Sequence, residues 1–483
     1  MRLRLASRGW TLSGSGHQSP ERKRRVAGKR DIRRKPARLR SGLCSRGRWP
    51  LTGRCSVKCW LACLVGSGLA GLVATNLAGC PSETPSSLIG DTTSLTFNNT
   101  TDPTNANATY LTSAACKACH PDVGAEQGGH GHAHALTRVE GGPPSYPAAA
   151  TRAGVPNPPP GRTWADVAYV IGGYFKRGLF VDQGGYVMTT GVLGVNTQWN
   201  LAYPRNGTSP GFAAYEPTLP SPQPFDYTCF RCHVTGAQAP SANNPQTQDN
   251  RPGMAGTWAE PGVLCEACHG PGSNHVPRPH ARGIYVGLGA ENCGRCHALN
   301  DDPNVILAAD GFIQSYQQWS ELRASGGHSG FQCLMCHDPH ASTTYDASGL
   351  LNDCTDCHWD RTIPLHTGKV FVWVDYVEPV VCRSCHMPLA TKNAAIAAPA
   401  VVGDQARLGD TRTHIFRINP DPVDYQTMLS ADGSHVVKDA AGRAAATVDF
   451  VCLRCHHGAG SAPAFTVPSA SQIAENMHAR LAR

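Results

Sequence analysis

Eight times the chain sets two cysteines three positions apart and follows the second with a histidine. The first four copies are Cys116, Cys119 and His120; Cys229, Cys232 and His233; Cys265, Cys268 and His269; and Cys293, Cys296 and His297. The others are Cys333, Cys336 and His337; Cys354, Cys357 and His358; Cys382, Cys385 and His386; and Cys452, Cys455 and His456. Thiols at that spacing share one helical turn, so both can add to the two vinyl groups along one edge of a haem. The adjacent imidazole then meets the iron as proximal ligand. This is the attachment signature of c-type haem. A zinc knuckle does not require a histidine directly after each pair, and a disulfide framework has no use for one. The sixteen motif cysteines, together with Cys44, Cys55, Cys59, Cys63 and Cys80, account for all 21. None beyond Cys80 is left for a disulfide or a nucleophile. The reading is eight covalently bound haems, each with its iron.

The next question is what binds the opposite side of each iron. Besides the proximal set and His17, the chain offers His130, His132, His134, His275, His280, His328, His340, His366, His414, His435, His457 and His478. Twelve candidates for eight positions allow two imidazoles at every iron, a closed shell that suits an electron carrier. Several stand close to a motif. His275 and His340 follow their motifs within a few residues, His328 precedes Cys333 by five, and His366 follows His358 by eight. These four are expected as distal ligands. His132 represents a cluster with His130 and His134 that competes for one iron. His414 and His478, the latter on an expected C-terminal amphipathic helix, complete the set. His280, His435 and His457 stay open between ligation and solvation.

The segments TWAEPGVLCEACHGPGSNH, HSGFQCLMCHDPH and CRSCHMP resemble those of multihaem cytochromes c with doubled motifs, the cytochrome c-554 type and related octahaem proteins. The likeness runs over roughly residues 110–480 at the level of motif order. It implies haems stacked in parallel and perpendicular pairs along a wire, and two-histidine ligation at His275, His328, His340 and His366. The Cys-x-x-Cys-Lys motif of pentahaem nitrite reductases is missing from the sequence, which counts against nitrite reduction by that route.

The head of the chain is of another kind. Residues 1–79 hold 18 Lys/Arg and 2 Asp/Glu, leaving 25 and 33 for the rest, so the net charge of +8 hides an acidic body. A nucleic-acid surface is therefore not expected. From Lys58 an apolar, small-residue stretch leads to Leu77-Ala78-Gly79-Cys80, which resembles a bacterial lipobox, with Cys80 as the lipid-modified residue. A single transmembrane helix is the competing reading. The Arg-rich residues 1–54 suggest a start codon assigned too far upstream, with translation beginning near Val57. Residues 80–109 read as a flexible tether rich in Ser, Thr, Asn and Pro.

From Cys80 onward there are 404 residues, about 50 per haem, and aromatics make only 7% of the whole chain, so the macrocycles must form much of the core. The expected fold is mostly irregular: short α-helices carrying the motifs, joined by Pro/Gly loops, with a few small β-hairpins. Residues 110–228 hold the first haem and a small β insertion, with a hairpin around Gly184-Gly185 and Trp164 and Trp199 packing it over the first two haems. A dense six-haem module follows at 229–386. Residues 387–483 carry the eighth haem, with a hairpin near 435–451 and His414 beside the seventh haem.

Together these features describe a lipid-anchored electron-transfer cytochrome on the outer membrane, facing periplasm or exterior, with protein redox partners and no assigned catalytic residue. About sixteen propionate charges on the acidic chain favour cationic partners. The alternative is an oxidoreductase acting on a small nitrogen or sulfur compound at one open haem, the second or the eighth, with Arg412, Arg417 and Lys392 as possible helpers near the seventh.

Overall fold

At the second and sixth motifs an aspartate caps the helical turn that carries the cysteines. In the computed structural model, Asp226 accepts a hydrogen bond from the Thr228 N–H at 3.0 Å and starts the turn of the second motif. Asp353 and Asp356 make a reciprocal capping box at the sixth. The structure describes residues 107–480 apart from 244, 281–282, 286–288, 301, 374–375, 394–400, 403–405, 475 and 478. The basic prefix, the lipobox with Cys80, the tether up to residue 106, and His478 thus lie outside the described residues.

The α-helices are short: α1 (Ser113–Lys117), α2 (Pro121–Gly129), α3 (Thr190–Leu193), α4 (Tyr227–Phe230), α5 (Cys265–His269), α6 (Ala290–His297), α7 (Gln318–Arg323), α8 (Cys354–Cys357), α9 (Cys382–His386) and α10 (Val467–Ala474). A 3-10 turn at Cys333–Met335 serves the fifth motif and a π-helical turn at Asp449–Leu453 leads into the eighth. Among the described residues no helix is long and apolar enough to cross a membrane.

The stretch between the first two motifs builds more than the expected hairpin. Seven strands form one sheet: β1 (Leu136–Arg138), β2 (Val167–Gly172), β3 (Arg177–Asp182), β4 (Tyr186–Val187), β5 (Gln198–Asn200), β6 (Gly211–Ala213) and β7 (Gln223–Pro224). Its backbone order is β1-β2-β3-β4-β7, with β5 pairing β3 and β6, all antiparallel. The expected turn around Gly184-Gly185 joins β3 to β4, with Val181 opposite Val187. Between β2 and β3 a second turn needs glycine. Gly173 has φ +78°, and a Cβ there would meet the Tyr146 hydroxyl at 2.1 Å.

Both faces of the sheet are covered. Val170 and Phe180 pack with Val155 and Met188 under Trp164, Trp199 and Phe212, so these tryptophans pack the sheet itself. Tyr169 and Val181 pack on the other side with Phe225, Trp258 and Phe230. Phe230 lies inside the second motif and is fully buried, so the sheet clamps that motif in place.

A second core joins residues 306–324 to the C-terminal region through Phe312, Ile313, Ile415, Met428 and Phe450. The hairpin expected near 435–451 is not there. Asp439 does turn the chain, accepting from the N–H groups of Ala441 and Arg443. The strand that follows, Ala446–Thr447, instead pairs in parallel with Ile418–Asn419.

Candidate functional site

The sixteen motif cysteines form no disulfides and are half-buried or exposed. Thiols of different motifs come together in sequence. Cys116 hydrogen-bonds Cys265, Cys232 meets Cys296, and Cys293 meets Cys333. Others lie close enough for the charge of one to raise the pKa of the next: Cys268 beside Cys293 and Cys296, Cys336 by Cys357, Cys354 by Cys382, Cys385 by Cys452. Successive motifs thus lie within electrostatic reach of one another, first to third to fourth and onward to the eighth, with the second beside the fourth.

The histidines meet in twos. Among the described residues no three His, Cys, Asp or Glu side chains converge to hold a metal ion by themselves. His120 faces His275 with ring centroids 6.5 Å apart, and His269 faces His340 at 6.3 Å with the rings 3° from parallel. His297 faces His132 at 6.1 Å, His337 faces His414 at 6.1 Å, His358 faces His328 at 5.8 Å, and His456 faces His366 at 6.2 Å. With a metal–nitrogen bond of about 2.0 Å, two imidazoles on opposite sides of one metal have centroids roughly 6 Å apart. The spacing fits an iron between each pair.

Tautomer and charge agree with that use. An imidazole whose Nδ1–H is donated away presents the Nε2 lone pair to a metal. His233 Nδ1 lies 3.1 Å from the Ala135 carbonyl, His269 Nδ1 2.8 Å from that of Tyr285, His386 Nδ1 2.8 Å from that of Phe416, and His456 Nδ1 2.8 Å from that of Pro463. His297 Nδ1 lies 2.9 Å from Gln318 Oε1. Burial pushes the His132 imidazole well below its usual pKa and that of His414 down to about 3, so both stay neutral, the form that binds metals.

Of the seven distal candidates, His132, His275, His328, His340, His366 and His414 each face a proximal ring, and His478 lies outside the described residues. The cluster resolves on His132, because His130 Nδ1 accepts from the His132 N–H and His134 stacks on Tyr174. His280 and His435 are exposed, and His457 sits edge-on to Phe371 and Trp373. His414 opposes the fifth motif rather than the seventh. The same segment still reaches the seventh, through the Phe416 carbonyl on His386.

A continuous cavity of about 1970 Å³ runs past the motifs from Cys229 to Cys452. Its wall includes Arg152, Arg177, Arg205 and Arg412. Buried Glu378 binds Arg205 at 3.2 Å and Arg454 at 3.0 Å, and also pairs with Arg412. Arg412 donates to the carbonyls of Arg383 and Met387 at 2.8 Å each, which places it at the seventh motif as expected. Arg417 pairs with Asp439, and Lys392 lies 3.5 Å from Asp310. Gln318 and Glu321 have no motif that marks them in the sequence.

Residues 218–270, which contain the second and third motifs, match the family described as cytochrome c554 and c-prime. No curated protein matches the chain. Among solved structures, the chain is similar to the outer cell wall cytochrome OcwA, at 18% identity over 76% of this chain and 86% of that one, with a TM-score of 0.45. It is similar to the octahaem sulfite reductase MccA of Wolinella succinogenes at 18% identity over 76% and 67%, with a TM-score of 0.46. A third is the undecahaem cytochrome from the S-layer of Carboxydothermus ferrireducens, at 15% identity over 77% and 60%, with a TM-score of 0.41.

Proposed function

We propose that this multihaem c-type cytochrome carries eight haems and relays electrons along them, as an exported protein held to the membrane by a lipid on Cys80. The carrying observation is the six imidazole pairs, each with one ring from a motif and ring centroids 5.8–6.5 Å apart. The haem supplies a one-electron iron couple when bound. The chain's own residues hold two thiols at each site and two imidazoles at six of them, and would close those six irons to other ligands. A protein donor and a protein acceptor at the two ends of the row complete the function, and the acidic body favours cationic partners.

Ligand replacement tests this reading. His275→Ala and His366→Ala should each convert one low-spin haem to high-spin while haem content stays at the wild-type value. An unchanged spectrum in either variant would show that the facing pair does not share an iron.

A second reading rests on the second motif. Among the described residues no imidazole ring faces His233, whose pKa is lowered by burial and by nearby Arg177 against the pull of the Ala135 carbonyl. An open iron there, beside a guanidinium, would suit a small anionic nitrogen or sulfur substrate. The eighth motif does not share this feature, since His456 faces His366. Turnover of nitrite or tetrathionate that tracks a single high-spin haem would move the assignment to an enzyme.

A further inference from the structure

Four of the proximal imidazoles give Nδ1 to a backbone carbonyl, an acceptor that no side-chain change can alter. His297 differs, because its Nδ1 partner is the side-chain carbonyl of Gln318 at 2.9 Å. Gln318 is the first residue of α7, and that short helix is held firmly. Gln317, just before it and fully buried, receives the Leu307 N–H on Oε1 at 2.7 Å and donates from Nε2 to the carbonyls of Leu307 and Gln314 at 2.9 Å each. Trp319 packs against Gly294 within the fourth motif, where a Cβ would lie 2.7 Å from its ring. One turn further on, fully buried Glu321 accepts from the Thr413 hydroxyl at 2.8 Å and from the backbone N–H of His414. Since His414 faces His337, α7 touches the proximal side of the fourth site and the distal side of the fifth.

We propose that α7 is a positioning helix for two adjacent haem sites, and that Gln318 sets the donor strength of His297 and hence the reduction potential of the fourth haem. The inference rests on the haem-binding reading above. An amide oxygen is a neutral acceptor, so it fixes the ring while withdrawing the Nδ1 proton only modestly. A carboxylate in its place would draw that proton further, give the ring imidazolate character and favour the ferric state. An apolar side chain would leave the N–H without its partner, weaken the ligand and favour the ferrous state. Glu321 acts through the 413–414 backbone, and so orients the neighbouring pair without touching an imidazole nitrogen.

The experiment is a redox titration of the full-length holoprotein beside its Gln318→Glu and Gln318→Met variants, with covalent haem content and low-temperature EPR recorded on each. Gln318→Glu should lower one potential, by about a tenfold shift in the oxidised-to-reduced ratio, or about 59 mV for one electron. Gln318→Met should raise one, with both variants low-spin and at wild-type haem content. Opposite signs cannot come from loosened packing, which would move both variants the same way. Potentials unmoved in both variants, or moved in the same direction, overturn the proposal. Should Gln318→Glu not accumulate, Gln318→Met is read alone: a raised potential supports it and an unmoved one overturns it. A wild-type protein without covalent haem would instead overturn the haem-binding reading itself.

Discussion

Made without haem attachment, the chain is expected to lose its cooperative fold altogether. The apolar cores are small and separate, gathered on the sheet of 136–224 and on the 306–450 region. Between the motifs runs the cavity of about 1970 Å³. It is partly open to solvent and walled by motif cysteines, histidines and apolar side chains, so without haem that surface is wetted rather than packed. A domain has only about 5–15 kcal/mol of stability to lose. Thermal unfolding by circular dichroism, on chain produced where no haem is attached, should therefore show no sigmoidal transition, and limited proteolysis should degrade it throughout. The holoprotein should melt cooperatively. A cooperative melt of the haem-free chain would show that polypeptide packing alone carries the fold.

The second large effect is expected at Glu378, which is 4% exposed and ties together parts of the chain far apart in sequence. Arg454 lies within the eighth motif, Arg412 braces the end of the seventh, and Arg205 comes from the loop after β5. Burial pushes the Glu378 carboxyl up, but Arg454, Arg205 and Arg412 together hold it below the ordinary glutamate value of 4.5. A depressed folded pKa means stability that is present above the unfolded value and lost as pH falls through the folded one. Glu378→Gln leaves three guanidiniums without their carboxylate, Arg454 among them at 3% exposure. The cost should be about 3–5 kcal/mol at pH 7. Denaturant unfolding should show the variant weaker at pH 7, with the gap narrowing below about pH 4.5 as wild-type Glu378 takes up its proton. Equal midpoints at pH 7 would show that the propionates, and not Glu378, balance these arginines.

What the sequence makes legible is what depends on near neighbours. The motif spacing is a one-turn property, and at the second and sixth motifs the turn starts on the caps Asp226 and Asp353. The turn at Gly184-Gly185 is equally local, fixed by Asp182 accepting from the N–H groups of Gly184 and Tyr186. The full sheet is not legible, because β2 and β3 are covered on both faces. Val167 to Val170 are all buried, so the two-residue alternation that marks a strand is erased. The hairpin expected at 435–451 fails for a related reason: Asp439 makes the turn, yet the partner of Ala446–Thr447 is Ile418–Asn419, found by tertiary packing.

The histidines expected as distal ligands are legible where they stand within eight residues of a motif, as His275, His328, His340 and His366 do. Which motif imidazole each one faces is a matter of tertiary structure, as His414 shows by turning to His337. The acceptors for Nδ1 leave almost no trace. Carbonyls such as those of Ala135 and Phe416 belong to any residue, and Gln318 lies 21 positions beyond His297.

The central claim is that paired imidazoles close the irons of a multihaem electron carrier. Low-temperature EPR of the purified, oxidised protein, integrated against its haem content, tests it most directly. The account predicts at least six low-spin haems, one for each facing pair, with any high-spin signal confined to the remaining sites. A spectrum dominated by high-spin iron would contradict it.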